Sequence, residues 1–323
     1  MKSGSTLEKV LASGKPAVTA ELGPPMSADP HEVIKKAQQL KGFCDAANIT
    51  DCQTAVVRIS SIAAAAIAFQ QGLEPVMQMT CRDRNRIAIQ ADLLGAAALG
   101  LKNCLCLAGD HQKFSAAGRL KGHPGAKNVY DVDTCQLVGI MKKMRDEGKQ
   151  DGGDPIEVPP KFFIGASWTP MADPIDFRPI NLMKKVNAGA DFIQTQGIYD
   201  MGLFRQQMAK IRNMGLHEKT AILAGIIVPK SAMMLKYMDS SVAGVSVPKE
   251  LIDRMNKAKA AAGEDKKKMK ELQEQEGIKI TIELIHQALE TPGVRGVHIQ
   301  AIEWESAIEG IVKAAGLYPR PAV

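Results

Sequence analysis

The sequence predicts a single-domain (β/α)₈ barrel over residues 1–323, because eight strand-like segments alternate along it with helix-like segments. Alternation of this kind implies parallel strands that are joined by crossover helices. Eight such units in a chain of this length fit a closed barrel. A doubly wound open sheet is the alternative, but its early G-x-G-x-x-G signature does not occur in the sequence.

The predicted strands are short, mostly apolar runs, and several of them end on a polar residue. They cover residues 17–22, 46–50, 76–81, 103–109, 162–167, 191–196, 221–226 and 296–302. Amphipathic helices are predicted between them, for example at 30–42, 83–100 and 179–190. In the second of these helices, Ile87, Leu94 and Ala98 fall near one face. Gly100 and Gly189 are expected to cap helix ends.

Two stretches with more charge and glycine, at 145–158 and 256–277, are interpreted as loop or helix insertions within the single domain. The second contains the run Lys266-Lys267-Lys268 and mixes both signs of charge, which is typical of a solvated helix or a flexible insertion. The net charge is only +6 and 4% of the residues are aromatic, so the chain lacks the basic, base-stacking surface of a nucleic-acid binder.

The composition, with 45% hydrophobic and 24% charged residues, is that of a soluble globular protein. The N-terminus has no signal-peptide pattern and no apolar run reaches about 18 residues, so we expect a cytoplasmic location and no membrane association. The six cysteines form no C-x-x-C pair and no cluster with zinc spacing, so we expect buried free thiols.

The stretch Glu21-Leu22-Gly23-Pro24-Pro25 places a carboxylate where the first strand ends. Glycine followed by two prolines ends a strand, because proline lacks an N–H group and restricts the residue before it. A buried, unpaired carboxylate tends to take up a proton. Glu21 is therefore either a solvated loop acid or part of a site at the strand ends.

In a (β/α)₈ barrel the C-terminal strand ends converge on the active-site face. Glu21 and Asp110 end the first and fourth strands, and amides such as Gln78, Gln194 and Gln196 flank them. This lining suits a hydrogen-bonding heterocycle better than a metal ion. A metal site would draw on Asp51, Asp110, His111 and His298, of which no two have tight ligand spacing.

Six short motifs follow one another at the predicted strand ends. They are Glu21 before Pro24-Pro25, Met79-Thr80-Cys81, Ala108-Gly109-Asp110, Tyr130 to Asp133, Lys185 through Thr195-Gln196 to Asp200, and Ala224-Gly225-Ile226. Each motif is weak alone. Together and in this order they resemble the methylenetetrahydrofolate reductase family, and the similarity covers nearly the whole chain.

The resemblance implies a flavin-dependent barrel that reduces 5,10-methylenetetrahydrofolate to 5-methyltetrahydrofolate in one-carbon metabolism. Glu21 would be the general acid that protonates a substrate nitrogen and opens the methylene bridge to an iminium, which takes hydride from reduced flavin. A carboxyl group among apolar strand ends has a raised pKa and can carry that proton near neutral pH. Asp110 would favour the developing cation, with a helix N-cap as the alternative role.

The resemblance also implies which residues bind the ligands. Lys185 would offer its charge to a flavin phosphate, although a surface lysine is the alternative, and Gln196 would bind the pterin edge unless it is only a polar strand end. The implied flavin contacts are Thr50, Asp51, Gln78, Gly109, Asp110, Tyr130, Asp131, Asn181 and Lys185, and the implied substrate contacts are Glu21, Gln196 and Trp304.

The chain departs from the family pattern at several of these positions. Leu22-Gly23 and Gly197-Ile198 replace aromatic residues, and Trp304 stands where the family has an arginine that meets the folate tail. These departures leave FAD and FMN open and weigh against a stacked nicotinamide pocket. They resemble a branch of the family found in anaerobes, especially acetogens, whose members work with a small zinc and iron–sulfur partner chain that delivers electrons. A hetero- or homo-oligomer is therefore expected.

Two other functions remain open from the sequence. A pterin-binding methyltransferase barrel, which passes a methyl group to a corrinoid protein, would also place acids and amides at the strand ends but would bind no flavin. A folate- or flavin-binding scaffold without catalysis would tolerate the loss of Glu21.

Overall fold

The computed structural model describes residues 1–113, 115–116, 119–120 and 122–323. Eight parallel strands close a barrel in chain order, with the last strand paired to the first, so the predicted (β/α)₈ fold is confirmed. Each predicted strand overlaps one of them. The strands are β1 Ala17–Leu22, β2 Ala46–Ile49, β3 Pro75–Thr80, β4 Asn103–Leu107, β5 Phe163–Trp168, β6 Phe192–Gly197, β7 Ala221–Ile227 and β8 Val294–Gln300.

Helices cover the outside of the barrel, and polar side chains fix where several of them begin. Ser60, Asn85 and Asp133 each accept a hydrogen bond from a backbone N–H in the first turn of the following helix. The helices are α1 Thr6–Ala12, α2 His31–Leu40, α3 Ser61–Gln70, α4 Arg86–Ala98, α5 Thr134–Asp146, α6 Arg178–Ala188, α7 Met201–Asn213, α8 Leu216–Lys219, α9 Ala232–Ser241, α10 Lys249–Ala260, α11 Lys266–Leu289 and α12 Ala307–Ala314.

The expected glycine caps are confirmed. Gly100 and Gly189 follow α4 and α6 with φ of +83° and +120°, values at which a residue with a Cβ atom is strained. The predicted face of α4 is wrong, because Ile87 and Leu94 are exposed while Ile89, Leu93 and Ala96 are buried. The helix itself has apolar residues on all sides, so their spacing does not show which face is buried.

The stretch 256–277 is not a loop: it comprises the second half of α10 and the first half of α11. Arg254 joins the two helices through ion pairs to Glu276 at 2.8 Å and Glu283 at 2.6 Å. The stretch 145–158 follows α5 and folds back on itself through a bridge between Lys149 and Pro155. The interpretation of both stretches as insertions within the domain stays a prediction.

The inside of the barrel is apolar at its N-terminal end and polar at its C-terminal end. Leu7, Val10 and Leu11 of α1 pack with Phe163 and Phe192, and these buried side chains close the N-terminal end. Because side chains alternate along a strand, every second residue points into the barrel, and nearer the other end these inward residues are polar. The barrel consequently opens at its C-terminal mouth.

All six cysteines are free, and Cys44, Cys81, Cys104 and Cys106 are buried. Burial raises the pKa of the Cys44 and Cys81 thiols to about 12. These cysteines therefore behave as packing residues, as the sequence indicates. None of the helices in the described ranges is long and apolar enough to cross a bilayer.

Candidate functional site

A cavity of about 340 Å³ lies at the C-terminal mouth of the barrel. Polar side chains from seven of the eight strands or the loops after them line it, which agrees with the site that the strand ends predict. Its main polar lining residues are Glu21, Asn48, Asp51, Gln53, Gln78, Thr80, Arg82, Asp110, Ser167, Thr169, Gln194, Gln196, His298 and Gln300.

Glu21 occupies the end of β1 and is not a solvated loop acid. Its side chain is 23% exposed, and Oε2 lies 3.9 Å from Nε2 of His298 on the neighbouring strand β8. Burial, and then the negative charge of Glu305, raises the pKa of Glu21 to about 7, although Lys36 opposes the shift. The carboxyl group can therefore hold a proton near neutral pH and release it to a ligand.

A second, outer cavity of about 810 Å³ adjoins the first and shares Glu21 and Gln53 with it. Its walls come from α2, the loop after β2 and the loop after β8, and they carry both signs of charge. Trp304 is a wall residue here and not in the inner cavity with Gln196, so the two predicted substrate contacts flank Glu21 from separate compartments. Buried Glu305 pairs with Lys36 at 2.9 Å in the same wall.

Asp51 lines the inner cavity, but both of its oxygens are already engaged. They accept hydrogen bonds from the N–H and hydroxyl of Thr80 at 3.0 and 2.9 Å and from Arg84 at 2.7 and 3.3 Å. Asp51 is also buried. Its main observed role is to tie the end of β2 to β3 and the arginine that follows β3.

Asp110 does not cap a helix, so that alternative is wrong. Its Oδ2 accepts a hydrogen bond of 2.7 Å from the backbone N–H of Thr54, and residues 115–116 and 119–120 beyond it pair as a short hairpin. The side chain thereby supports the loop after β2, in which Cys52, Thr54 and Ala55 all have positive φ. Backbone strain of about 1–3 kcal/mol per residue of this kind is typical of functional sites.

Lys185 is buried, so its interpretation as a surface lysine is wrong. Its Nζ donates a 2.5 Å hydrogen bond to the backbone carbonyl of Ser167, which lines the inner cavity at the end of β5. Burial lowers the pKa of Lys185. The lysine thus places a cation just behind the wall of the cavity.

The remaining predicted contacts divide into three groups. Gln78, Gly109 and Gln196 line the inner cavity. Thr50 and Tyr130 do not line the cavity but hydrogen-bond residues that do: Thr50 donates to Gln53, and the hydroxyl of exposed Tyr130 donates to the Gly109 carbonyl at 3.1 Å. Asp131 instead pairs with Arg86 on the surface at 3.0 Å, and half-buried Asn181 lies on α6, outside the lining.

Sequence reasoning missed Asn48 and Gln53. Asn48 is buried inside the barrel and precedes Thr50 by two positions, so the two-residue period of a strand could have placed it on the inner face. Gln53 lies in the strained loop after β2, where no sequence pattern predicts its direction. Among the described residues, no three His, Cys, Asp or Glu side chains are grouped as a metal site requires.

Comparison with known proteins places this chain in a family. The model of the family described as methylenetetrahydrofolate reductase matches residues 6–316. Methylenetetrahydrofolate reductase 1 of Schizosaccharomyces pombe is 26% identical over 249 residues, which are 76% of this chain and 36% of that protein. A probable methylenetetrahydrofolate reductase (NADPH) of Caenorhabditis elegans is 22% identical over 267 residues, which are 81% and 35% of the two chains. The matched region is therefore about a third of these relatives.

A solved structure has the same fold over almost its whole length. It is an uncharacterized protein from Clostridium thermocellum that binds two copies of 5-methyl-5,6,7,8-tetrahydrofolic acid. The two structures superpose with a TM-score of 0.62 at 14% identity, covering 97% of this chain and 100% of the other. With the family model matched from α1 to the end of the last helix, this chain belongs to the methylenetetrahydrofolate reductase family.

Proposed function

We propose that this chain reduces 5,10-methylenetetrahydrofolate to 5-methyltetrahydrofolate, with reduced flavin as the hydride donor. The observation that carries the proposal is Glu21, a carboxyl group with a pKa of about 7 that borders both cavities. A general acid of this pKa is protonated in a substantial fraction of molecules at neutral pH and is acidic enough to give the proton up.

Glu21 would deliver its proton to a substrate nitrogen and so open the methylene bridge to an iminium. The negative charge of Asp110 and the surrounding amide dipoles favour the cation that forms, because they are already oriented. Positioned proton transfer typically contributes about 10²–10⁴ in rate. Glu21 becomes a carboxylate in this step and recovers its proton from solvent afterwards.

The inner cavity fits a flavin ring by the chemistry of its lining. Gln78 and Ser167 would offer neutral donors and acceptors to the polar edge of the flavin, and Gln196 would offer its amide to the pterin edge of the substrate. Gly109 has φ of +89°, and a Cβ atom there would lie 3.0 Å from Thr80 Cβ, so glycine allows the backbone to pass this close to Thr80 beside the cavity. Lys185 and Asp51 would hold the ends of β5 and β2 around the flavin, which would supply hydride when bound in its reduced form. FAD and FMN are both compatible with this lining.

The outer cavity fits the acidic tail of a folate. Lys35 and Arg58 lie in its wall together with Trp304, whose ring can pack against an aromatic ring. A substrate that spans both compartments would place its reacting centre beside Glu21, which they share.

The first experiment is an anaerobic absorption spectrum of the purified chain before and after addition of methyltetrahydrofolate. A flavin band that bleaches supports a folate-coupled flavin site. A colourless protein that does not respond to added flavin contradicts the proposal and favours the methyltransferase alternative. Glu21→Gln should retain flavin and lose nearly all folate turnover, whereas normal turnover in this variant would exclude Glu21 as the acid.

We also propose that electrons reach the flavin through a small zinc and iron–sulfur partner chain, as in the branch found in anaerobes, and that the complex is cytoplasmic. Exposed Lys266, Lys267, Lys268 and Lys270 at the start of α11 would meet an acidic face of that partner. Deleting the stretch would remove half of α11, so charge reversal of the first three lysines is the better test. It should weaken co-purification of the partner and spare flavin content, and unchanged co-purification would contradict the docking role.

A further inference from the structure

A chain of buried polar side chains crosses the barrel interior beneath Glu21. The amide groups of Asn48 on β2 and Gln194 on β6 pair with each other, with N···O distances of 2.6 and 3.0 Å. Gln194 Nε2 also donates to the Thr19 hydroxyl at 3.1 Å, and Thr19 Oγ1 lies 3.0 Å from Nδ1 of His298. The chain ends at His298 Nε2, 3.9 Å from Glu21 Oε2.

The order of donors in this chain fixes the proton on the His298 ring. Thr19 accepts from Gln194 and so has one hydrogen to give, for which His298 Nδ1 at 3.0 Å is a closer acceptor than the Val297 carbonyl at 3.5 Å. When Nδ1 accepts, the ring proton of a neutral histidine lies on Nε2. Burial keeps the ring neutral, because it lowers the pKa of His298 to about 3. An N–H group therefore faces the Glu21 carboxyl group.

We infer that Asn48, Gln194, Thr19 and His298 form a hydrogen-bonded chain that sets the proton position on His298 and so makes His298 a positioning residue for the acid Glu21. This inference rests on the proposed role of Glu21. Several other charged groups also act on Glu21 or line its two cavities and are left unchanged by the test. They are Lys36, Glu305, Glu32, Lys35, Glu303 and Arg58 in the outer wall and Asp51, Arg82 and Asp110 in the inner wall.

The test is the titration of Glu21 itself, followed by the carboxyl carbon signal of labelled glutamate in the purified protein without folate. Glu21→Gln identifies the signal by its loss. Thr19→Val removes the hydroxyl at constant shape, and Thr19→Ser restores it. We expect Thr19→Val to shift the Glu21 midpoint upward by roughly half to one pH unit, because the positive end of the Nε2–H dipole is no longer held toward the carboxylate, and Thr19→Ser to titrate like the wild type.

His298→Phe removes the ring N–H group itself and should shift the titration midpoint of Glu21 in the same direction. If Thr19→Val does not fold, Thr19→Ala removes the same hydroxyl without adding a methyl group and takes its place. An unchanged midpoint in both the Thr19 variant and His298→Phe would overturn the inference, as would a shift in His298→Phe alone. Because no folate is present, a shifted titration in a protein without folate turnover would leave this chain standing and remove only the proposed function.

Discussion

Replacing Glu21 by glutamine should make the protein more stable at pH 8 than the wild type, although it should abolish turnover. The ordinary pKa of the carboxyl group is 4.5, and burial raises it to about 7 in the folded protein. Between these values the folded state binds more protons than the unfolded state, so wild-type stability falls as the pH rises. The loss of stability caused by ionising Glu21 in the folded protein is absent below pH 4.5 and complete above pH 7.

The size of the effect follows from the shift. Two and a half pKa units correspond to about 3 kcal/mol, which is an upper value because the side chain remains 23% exposed to the cavity. Glutamine keeps the shape and cannot ionise. The difference in unfolding free energy between Glu21→Gln and wild type should therefore rise between pH 4.5 and 7 and then level off.

The assay is urea unfolding of both proteins at pH 5, 6, 7 and 8, analysed as the difference at each pH. The contributions of titrating groups far from Glu21 largely cancel in that difference. Glu32→Gln is the control, because Glu32 is an exposed carboxyl residue in the wall of the outer cavity. A difference for Glu21→Gln that does not change with pH would refute the assignment of a raised pKa and, with it, the acid role.

Three further predictions test the frame around the site. Arg84→Ala should cost about 3 kcal/mol in urea unfolding because it leaves buried Asp51 without its ion pair, whereas Arg86→Ala, which breaks a surface pair, should unfold like the wild type. Gly225→Ala should destabilise by about 1–3 kcal/mol or more, since a Cβ atom there would lie 2.3 Å from the Thr195 carbonyl oxygen; Gly310→Ala in α12, with open space around it, should stabilise slightly, and equal effects would contradict the packing argument. The pKa of His298 is lowered from 6.5 to about 3, so its contribution to stability is complete above pH 6.5 and is lost as the pH falls toward 3. The unfolding free energy of His298→Phe should therefore fall less steeply than that of the wild type between pH 6.5 and 3. An equal slope in the two proteins would show that the ring is charged in the folded state.

The barrel could be predicted from the sequence because its strands are local features. Each is a short apolar run bounded by glycine, proline or polar residues, and such boundaries do not depend on distant contacts. The face of α4 could not be predicted, because it has apolar residues on all sides and only the packed neighbours decide which are buried. The length of α11 was missed for a related reason: its charged first half continues into a buried second half that leads to β8.

The site was predictable at the strand ends and unpredictable beyond them. Glu21 stands at the end of β1 and Asp110 in the loop after β4, so the barrel alone brings them to the same mouth. The pairing of Asn48 with Gln194 joins positions 146 residues apart, and it exists only once the barrel has closed. Gln196 and Trp304 were both assigned to the substrate, but their separation into two cavities was not predicted, because it depends on the path of the loop after β8, in which Glu303 has φ of +53°.

The closed N-terminal end of the barrel has a consequence for the order of events in a catalytic cycle. Leu7, Val10 and Leu11 pack with phenylalanine side chains across that end, so among the described residues the C-terminal mouth is the opening through which ligands and water would both enter. Under the proposed function, a proton given up by Glu21 would then be replaced through the same opening. Glu21 would thus regain its proton only after the product has left the mouth, so product departure would have to precede the next turnover.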